Sequence, residues 1–459
     1  METTEPLAPA GILGAGVVTA MRRARDFLRA RSTAELLPLV GTVRAELALQ
    51  APAAGRSAFP LSYGGGGTCA HDLLAGLGMF YVSESGEVVL DCTSGHYQMT
   101  WGYNHPALTS ALDAATELGI VWDNHSNIPS IPVRHLADAL AALGREAGLD
   151  RVLLGVCTGS VACAAALKVM LARYRADHAR SALGPPVFIA LTGNYHGTDI
   201  LAQTLRGMWP GLVSGAETVQ LEPNDEEQLR EAFRRFGRRV AGFWAEPIMM
   251  NREAIGVRPD YLRLARALCD ECGALMALDE IQTGFWYPEV LYFRRADVAP
   301  DMVIVGKGMT AGFHPLSAML FRHELDVLEQ YDAISTNGNA SLAALLALCN
   351  LRMIADDAPR IGRLARRHHE CLCALAADFP ELIEGVNGDG FLTGMRFRAR
   401  DDALGFHKAA LARGLWLRAH AYHPGHRTVL MKYPLVIEDA VIDFVLAQLR
   451  DLCSAMPWR

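Results

Sequence analysis

Two apolar runs in this chain each end on one ionisable side chain, and the pair suggests covalent chemistry on an aldehyde. Leu275-Met-Ala-Leu278 runs into Asp279, and Met302-Val-Ile-Val305 runs into Gly306-Lys307-Gly308. A carboxylate delivered by an apolar strand leaves water and needs a cationic or hydrogen-bonded partner. A protonated pyridine nitrogen supplies one, and a ring held protonated is an electron sink for a carbanion at a substrate carbon. A lysine between two glycines has room for a bulky group beside its backbone. Desolvation lowers the pKa of its amine and makes it a better nucleophile toward an aldehyde. Either residue alone also fits a salt bridge, a metal site or a surface position. Lying 28 residues apart, on what read as successive strands, they fit one site.

Two further groups follow apolar runs. Cys157-Thr158-Gly159-Ser160 opens a helical run to Leu171. Small residues there leave free N–H groups and the positive end of the helix dipole for a phosphate, although an ordinary cap by Thr158 or Ser160 fits equally. Thr192-Gly-Asn-Tyr195-His196-Gly197 comes next along the chain. Tyr195 could lie flat on a heterocycle that His196 helps to position, or could simply fill the core.

The elements that must position these groups are short. Val187–Leu191, Val240–Ala245, Leu275–Leu278 and Met302–Val305 read as strands, with helical stretches such as Tyr261–Glu271 between them. Such alternation predicts an α/β fold with a mainly parallel sheet and crossover helices on both faces, and sites in such sheets lie at the carboxyl ends of strands. Met79–Asp91 reads as a hairpin turning at Ser85-Gly86. Beyond residue 340 we expect two long helical stretches, a strand-like Phe391–Phe397 and a last helix from Ile437 to Cys453. The expected division is an N-terminal segment 1–90 that joins the small domain, a large domain 91–343, and a C-terminal small domain 344–459, the small domain being α+β. Gly64–Gly67 reads as a flexible loop, because no helix start with Lys-Ser or Lys-Thr follows it.

Composition narrows the function classes. With 51% hydrophobic and 20% charged residues and a net charge of −7, the chain suits a globular protein with a large core and not a nucleic-acid binder. Its most basic stretch, Phe233–Arg239, reads as the solvated end of a helix. Ten cysteines show no framework, and Cys269-Asp-Glu-Cys272 lacks a second pair. Reduced thiols, a cytoplasmic location and no metal are expected. No stretch offers about 18 uninterrupted apolar residues, so no membrane span is expected, and the start lacks the basic region of a leader peptide.

Taken in order, Asp91-Cys-Thr-Ser-Gly95, Trp101-Gly-Tyr-Asn-His-Pro106, Thr158-Gly-Ser160, Tyr195-His-Gly197, Glu246-Pro247, Asp279-Glu-Ile-Gln-Thr-Gly284, Pro300-Asp301 and Gly306-Lys-Gly308 resemble the class III aminotransferases. These are fold-type I enzymes that depend on pyridoxal 5′-phosphate (PLP), and the resemblance runs from about residue 80 onward. It implies that Lys307 forms the internal aldimine and shuttles a proton, and that Asp279 pairs with the ring nitrogen. It further implies that Gln282 sits near the phenolic oxygen, that Tyr195 stacks on the ring beside His196, that Glu246 belongs to the cofactor site, and that Gly159 and Ser160 hold the phosphate. A homodimer is implied, in which a threonine of the other subunit completes the phosphate site. Ser335 fits that place by spacing and Thr336 by residue type.

Three departures from the family pattern bear on substrate. Trp286-Tyr-Pro-Glu289 replaces Gly-Arg-Thr-Gly after Phe285. Leu430 stands where many members carry an arginine for the substrate carboxylate, with Arg427 and Lys432 nearby. Ser160-Val-Ala-Cys163 replaces Ser-Glu-Ala-Asn. With Trp101, Trp286 and Tyr287 near the site, we expect an enlarged aromatic pocket and an unusual, bulky amine or amino acid that gives its nitrogen to a keto or aldehyde acceptor. The alternative is chemistry without nitrogen transfer, an aminomutase or a γ-elimination with C–C bond formation on S-adenosylmethionine.

Overall fold

In the computed structural model the described residues are 9–50, 72–123, 128–206, 215–420 and 425–456. Gly64–Gly67 lies outside them. A seven-stranded sheet forms the centre: β1 (Arg151–Val156), β2 (Val187–Leu191), β3 (Glu217–Leu221), β4 (Val240–Ala245), β5 (Leu275–Asp279), β6 (Met302–Val305) and β7 (Ser317–Phe321), in the order β1-β7-β6-β5-β4-β2-β3. Only β7 runs against its neighbours. Every residue of β2, β4, β6 and β7 is buried. That explains why they read as unbroken apolar runs and not as alternating ones, since helices cover both faces of such a sheet.

This order brings the chemistry together. The runs predicted as strands are β2, β4, β5 and β6, and β5 lies between β4 and β6 with Asp279 opposite Ile304. Asp279 ends β5, Lys307 follows β6, Glu246 follows β4 and Tyr195 follows β2. Helix α1 (Gly159–Ala176) starts just past β1. Five strands therefore open on one edge of the sheet, where ligands of open α/β sheets bind.

The hairpin forms as Phe80–Ser83 and Val88–Asp91, with Gly86 at φ 80° in the turn. These two strands share a sheet with Leu73–Leu77 and with Leu415–Trp416, which pairs parallel to Val88–Asp91. A second small sheet joins Ile383–Asp389, Leu392–Phe397, Thr428–Lys432 and Arg418–His420. Where two helical stretches are expected after residue 340, one 38-residue helix, α2 (Ser341–Asp378), runs through Pro359. Proline removes one hydrogen bond from a helix; buried Leu342, Leu346, Ile354, Ile361, Leu364 and Leu372 anchor both halves of α2 in the core. Among the described residues no helix is long and apolar enough to cross a membrane.

Candidate active site

At the carboxyl edge of the sheet lies a cavity of about 450 Å³ whose walls include Gly159, Ser160, Tyr195, His196, Gln282 and Lys307. Lys307 opens a 3₁₀ turn, Lys307–Thr310, with φ at 41°, a strained value for a side-chain-bearing residue. The turn is held from several directions. Thr100 Oγ1 and Asn350 Nδ2 each donate to the Gly308 carbonyl at 2.8 Å, and Asn350 also donates to Met309 O at 3.0 Å. Burial pulls the Lys307 amine down to about 8; Asp279 and Glu246 oppose this, and Arg418 adds to it.

Asp279 is buried behind the wall, and its two oxygens accept three bonds that leave one lone pair of Oδ1 open. Its Oδ1 accepts the Ile281 N–H at 3.0 Å, and its Oδ2 pairs with His196 Nδ1 at 2.7 Å and with the Cys163 thiol at 3.6 Å. Burial depresses the His196 pKa, but the hydrogen bond and charge of Asp279 outweigh it and leave the imidazole above its ordinary value. His196 packs against Trp244, with ring centroids 5.3 Å apart. Glu246 Oε1 accepts the Tyr195 N–H at 2.7 Å. Burial raises this carboxyl to about 7, against the pull of His196.

At the other end of the cavity both readings of Cys157–Ser160 hold together. Thr158 caps α1, which leaves Gly159 and Ser160 as the first helical residues. Ser160 Oγ accepts the Thr198 N–H at 3.0 Å. A Cβ on Gly197, at φ 113°, would lie 2.0 Å from that oxygen and 2.7 Å from the Ser160 backbone, so this position requires glycine, while one on Gly159 would press on the tip of Ile281 at 2.4 Å.

The residues present fit a phosphorylated pyridine aldehyde. The N-terminus of α1 offers N–H groups to a phosphate, a buried carboxylate stands ready for a ring nitrogen, and a depressed lysine faces the same space. Gln282 has Nε2 and Oε1 buried in this wall with no partner among the described residues, which suits a phenolic oxygen.

The five residues expected to touch substrate do not line this cavity. Trp286 is fully buried, donates Nε1 to Tyr433 O at 3.0 Å, and packs so closely that a Cβ on Gly308 would lie 2.1 Å from its ring. The glycines beside Lys307 thus admit the chain's own side chains. Trp101 donates to Asn350 Oδ1 at 2.8 Å and so braces the lysine turn. Tyr287 is buried with its hydroxyl on Asp389 O at 3.3 Å. Arg427 pairs with Glu384 at 2.6 Å, and Lys432 is buried beneath Trp286. Ser335 and Thr336 also lie off the cavity wall. Ser335 is engaged in its own chain, accepting the Cys157 N–H at 3.3 Å and donating its N–H to Gly155; Thr336 is exposed.

Arg418, which sequence reasoning did not single out, also lies off the cavity wall. It sits directly opposite Leu430 on the neighbouring strand, close enough to Lys307 to depress its pKa. Its Nη1 bonds His96 Nδ1 at 2.6 Å, and among the described residues no carboxylate pairs with it. Burial, together with Arg418, Lys307 and Lys432, pulls His96 down to about 4, so the imidazole is neutral and accepts that bond. The signal was available only as the strand pairing with Leu430.

A family profile described as "Aminotransferase class-III" matches residues 68–453. An acetylornithine aminotransferase of Xylella fastidiosa is 30% identical over 335 residues, 71% of this chain and 79% of its own length. A mitochondrial ornithine aminotransferase of Oryza sativa is 26% identical over 69% of this chain and 67% of its own. Among solved structures, the N-acetylornithine aminotransferase of Stenotrophomonas maltophilia superposes with a TM-score of 0.69 at 26% identity, covering 84% of this chain and 96% of that one. A transaminase from the marine bacterium Virgibacillus reaches 0.76 at 20% identity, over 88% and 96% of the two chains, and shares the fold. The chain belongs to the class-III aminotransferases, fold-type I enzymes that use pyridoxal 5′-phosphate.

Proposed function

We propose that this enzyme moves an amino group from a carboxylate-bearing amine or amino acid to a keto or aldehyde acceptor, as a homodimer. The observation that carries the reading is the Arg418 guanidinium, bonded to a neutral imidazole and without a carboxylate partner among the described residues, near enough to the Lys307 amine to lower its pKa. Bound PLP supplies an aldehyde that takes up the nitrogen and a ring that withdraws electrons from the substrate carbon. Asp279 would hold the proton on the ring nitrogen, with His196 and Cys163 fixing its carboxylate. Lys307 Nζ would take the proton from the substrate carbon and return it to the cofactor carbon. Gln282 would bond the phenolic oxygen, Tyr195 would cover the ring, and Gly159 and Ser160 would hold the phosphate. The unpaired thiols of the described cysteines suit a cytoplasmic protein.

Arg418 would receive the substrate carboxylate through its planar fork. The relatives named for ornithine and acetylornithine act on amino acids. The test is a half-reaction: a donor should bleach the visible band of the bound cofactor, and a keto acid should restore it. Arg418→Ala should raise KM for carboxylate donors roughly 10- to 100-fold and spare amines that lack a carboxylate. An unchanged KM for the former would remove Arg418 from recognition. A band changed by S-adenosylmethionine without release of a keto product would move the reading to elimination.

Of the two candidates for the hydroxyl supplied across the dimer, Thr336 is favoured because it is the exposed one. Light scattering should give twice the 49.8 kDa chain mass, and Thr336→Ala should weaken cofactor retention roughly tenfold. A monomer with full cofactor occupancy would refute the dimeric site.

A further inference from the structure

Lys432 is 0% exposed, and among the described residues no carboxylate pairs with it. Its Nζ donates to Gln282 O at 2.6 Å and to Tyr97 O at 3.3 Å, and stands 3.5 Å from the centroid of the Trp286 ring. Burial and the charge of Lys307 pull its pKa well below the ordinary lysine value. Burying an amine without an anion is unfavourable, and an apolar side chain of the same length would fill the space without that cost. What an apolar side chain could not do is bond these two carbonyls.

The partners connect Lys432 to the site. Residues 281–285 form turns and not a strand, with Phe285 at φ 71°, so the Gln282 carbonyl has no sheet partner there. Gln282 lies in the cavity wall, and both polar atoms of its buried side chain are without a partner among the described residues. Trp286 is locked from two sides, by its bond to Tyr433 O and by the Lys432 amine on its face, and it presses on Gly308 next to Lys307. Trp286 and Lys432, noted separately in the sequence, are thus one contact.

We propose that Lys432 is a positioning residue: stacked on Trp286 and bonded to the Gln282 carbonyl, it aims the Gln282 side chain at the cofactor and joins the C-terminal sheet to the turn that carries Lys307. The proposal rests on the PLP reading of the cavity, because Gln282 matters here only as a ligand of the cofactor.

A double-mutant cycle on the holoenzyme tests it, with cofactor retention in dialysis as the readout and melting of the apoprotein as the control. Lys432→Met and Gln282→Ala should each weaken retention roughly tenfold. The double variant should be no weaker than the worse single one, because both remove the same contact. The apoprotein of Lys432→Met should melt close to the wild-type temperature, since removing a buried amine offsets the loss of its bonds to the two carbonyls. Losses that multiply to roughly a hundredfold, together with a lowered apoprotein melting point, would mark Lys432 as merely structural and overturn the proposal. So would wild-type retention in Lys432→Met. A wild-type protein that takes up no PLP would overturn the cofactor reading and the proposal with it; multiplying losses beside a normal wild-type spectrum would overturn the proposal alone.

Discussion

Replacing Lys307 with alanine should lower turnover by at least roughly ten-thousand-fold, because one side chain supplies both the covalent anchor and the proton carrier. The fold should survive. The turn at 307–310 is held by Thr100, Asn350 and Trp286, none of which touches the lysine side chain's charge. Borohydride treatment of the wild type should fix the cofactor to the peptide containing Lys307, and a label on another lysine would sink the assignment. The amine also makes a pH prediction. Its neutral form is the one that attacks an aldehyde, and that form predominates above about pH 8. Capture of PLP by the apoprotein should therefore accelerate as pH rises and level off above about 8. A rate still climbing toward the ordinary lysine value of about 10.4 would mean the amine sits in water.

Replacing Asp279 with alanine should cost turnover several powers of ten, with smaller damage to folding. Without the carboxylate nothing holds the proton on the ring nitrogen, and the electron sink fails at the step that forms the carbanion. Asp279→Asn separates charge from shape. It keeps an acceptor for the Ile281 N–H but not the charge that raises His196. Both variants should show similar kinetic losses, and the asparagine protein should melt closer to wild type. Near wild-type turnover in Asp279→Ala would reduce this carboxylate to a structural part.

Lys307 and Asp279 stood out in the sequence because their setting is local: an apolar strand, a polar end, a glycine where backbone crowds. Four strands of the sheet, β2, β4, β5 and β6, were legible from their apolar runs, whereas β1 and β3, which are only partly buried, and β7, which opens on a serine, were not read. What the sequence concealed was which way side chains turn once distant segments meet. Trp286 and Tyr287 follow the Asp279 loop and looked like pocket walls; contact with Tyr433, Lys432 and Asp389 turns them into the core. Trp101 reads as a pocket aromatic until α2 brings Asn350 to it. Arg418 acquires meaning only from the antiparallel pairing that sets it across from Leu430. Nothing near Arg418 in the chain announces that register.

The parallel pairing of Leu415–Trp416 with Val88–Asp91 joins segments more than three hundred residues apart. As the chain leaves the ribosome, the strands from Arg151 to Phe321 can associate while the later segment is still unmade. The early hairpin must wait, with one edge open, for a strand that is translated near the end. Contacts of such long sequence separation are slow to form and leave pairing edges exposed meanwhile. Arg418 and Lys432 arrive with that same late segment, so a nascent chain can own its lysine nucleophile and most of its central sheet before it owns the residues assigned to select the substrate and aim Gln282.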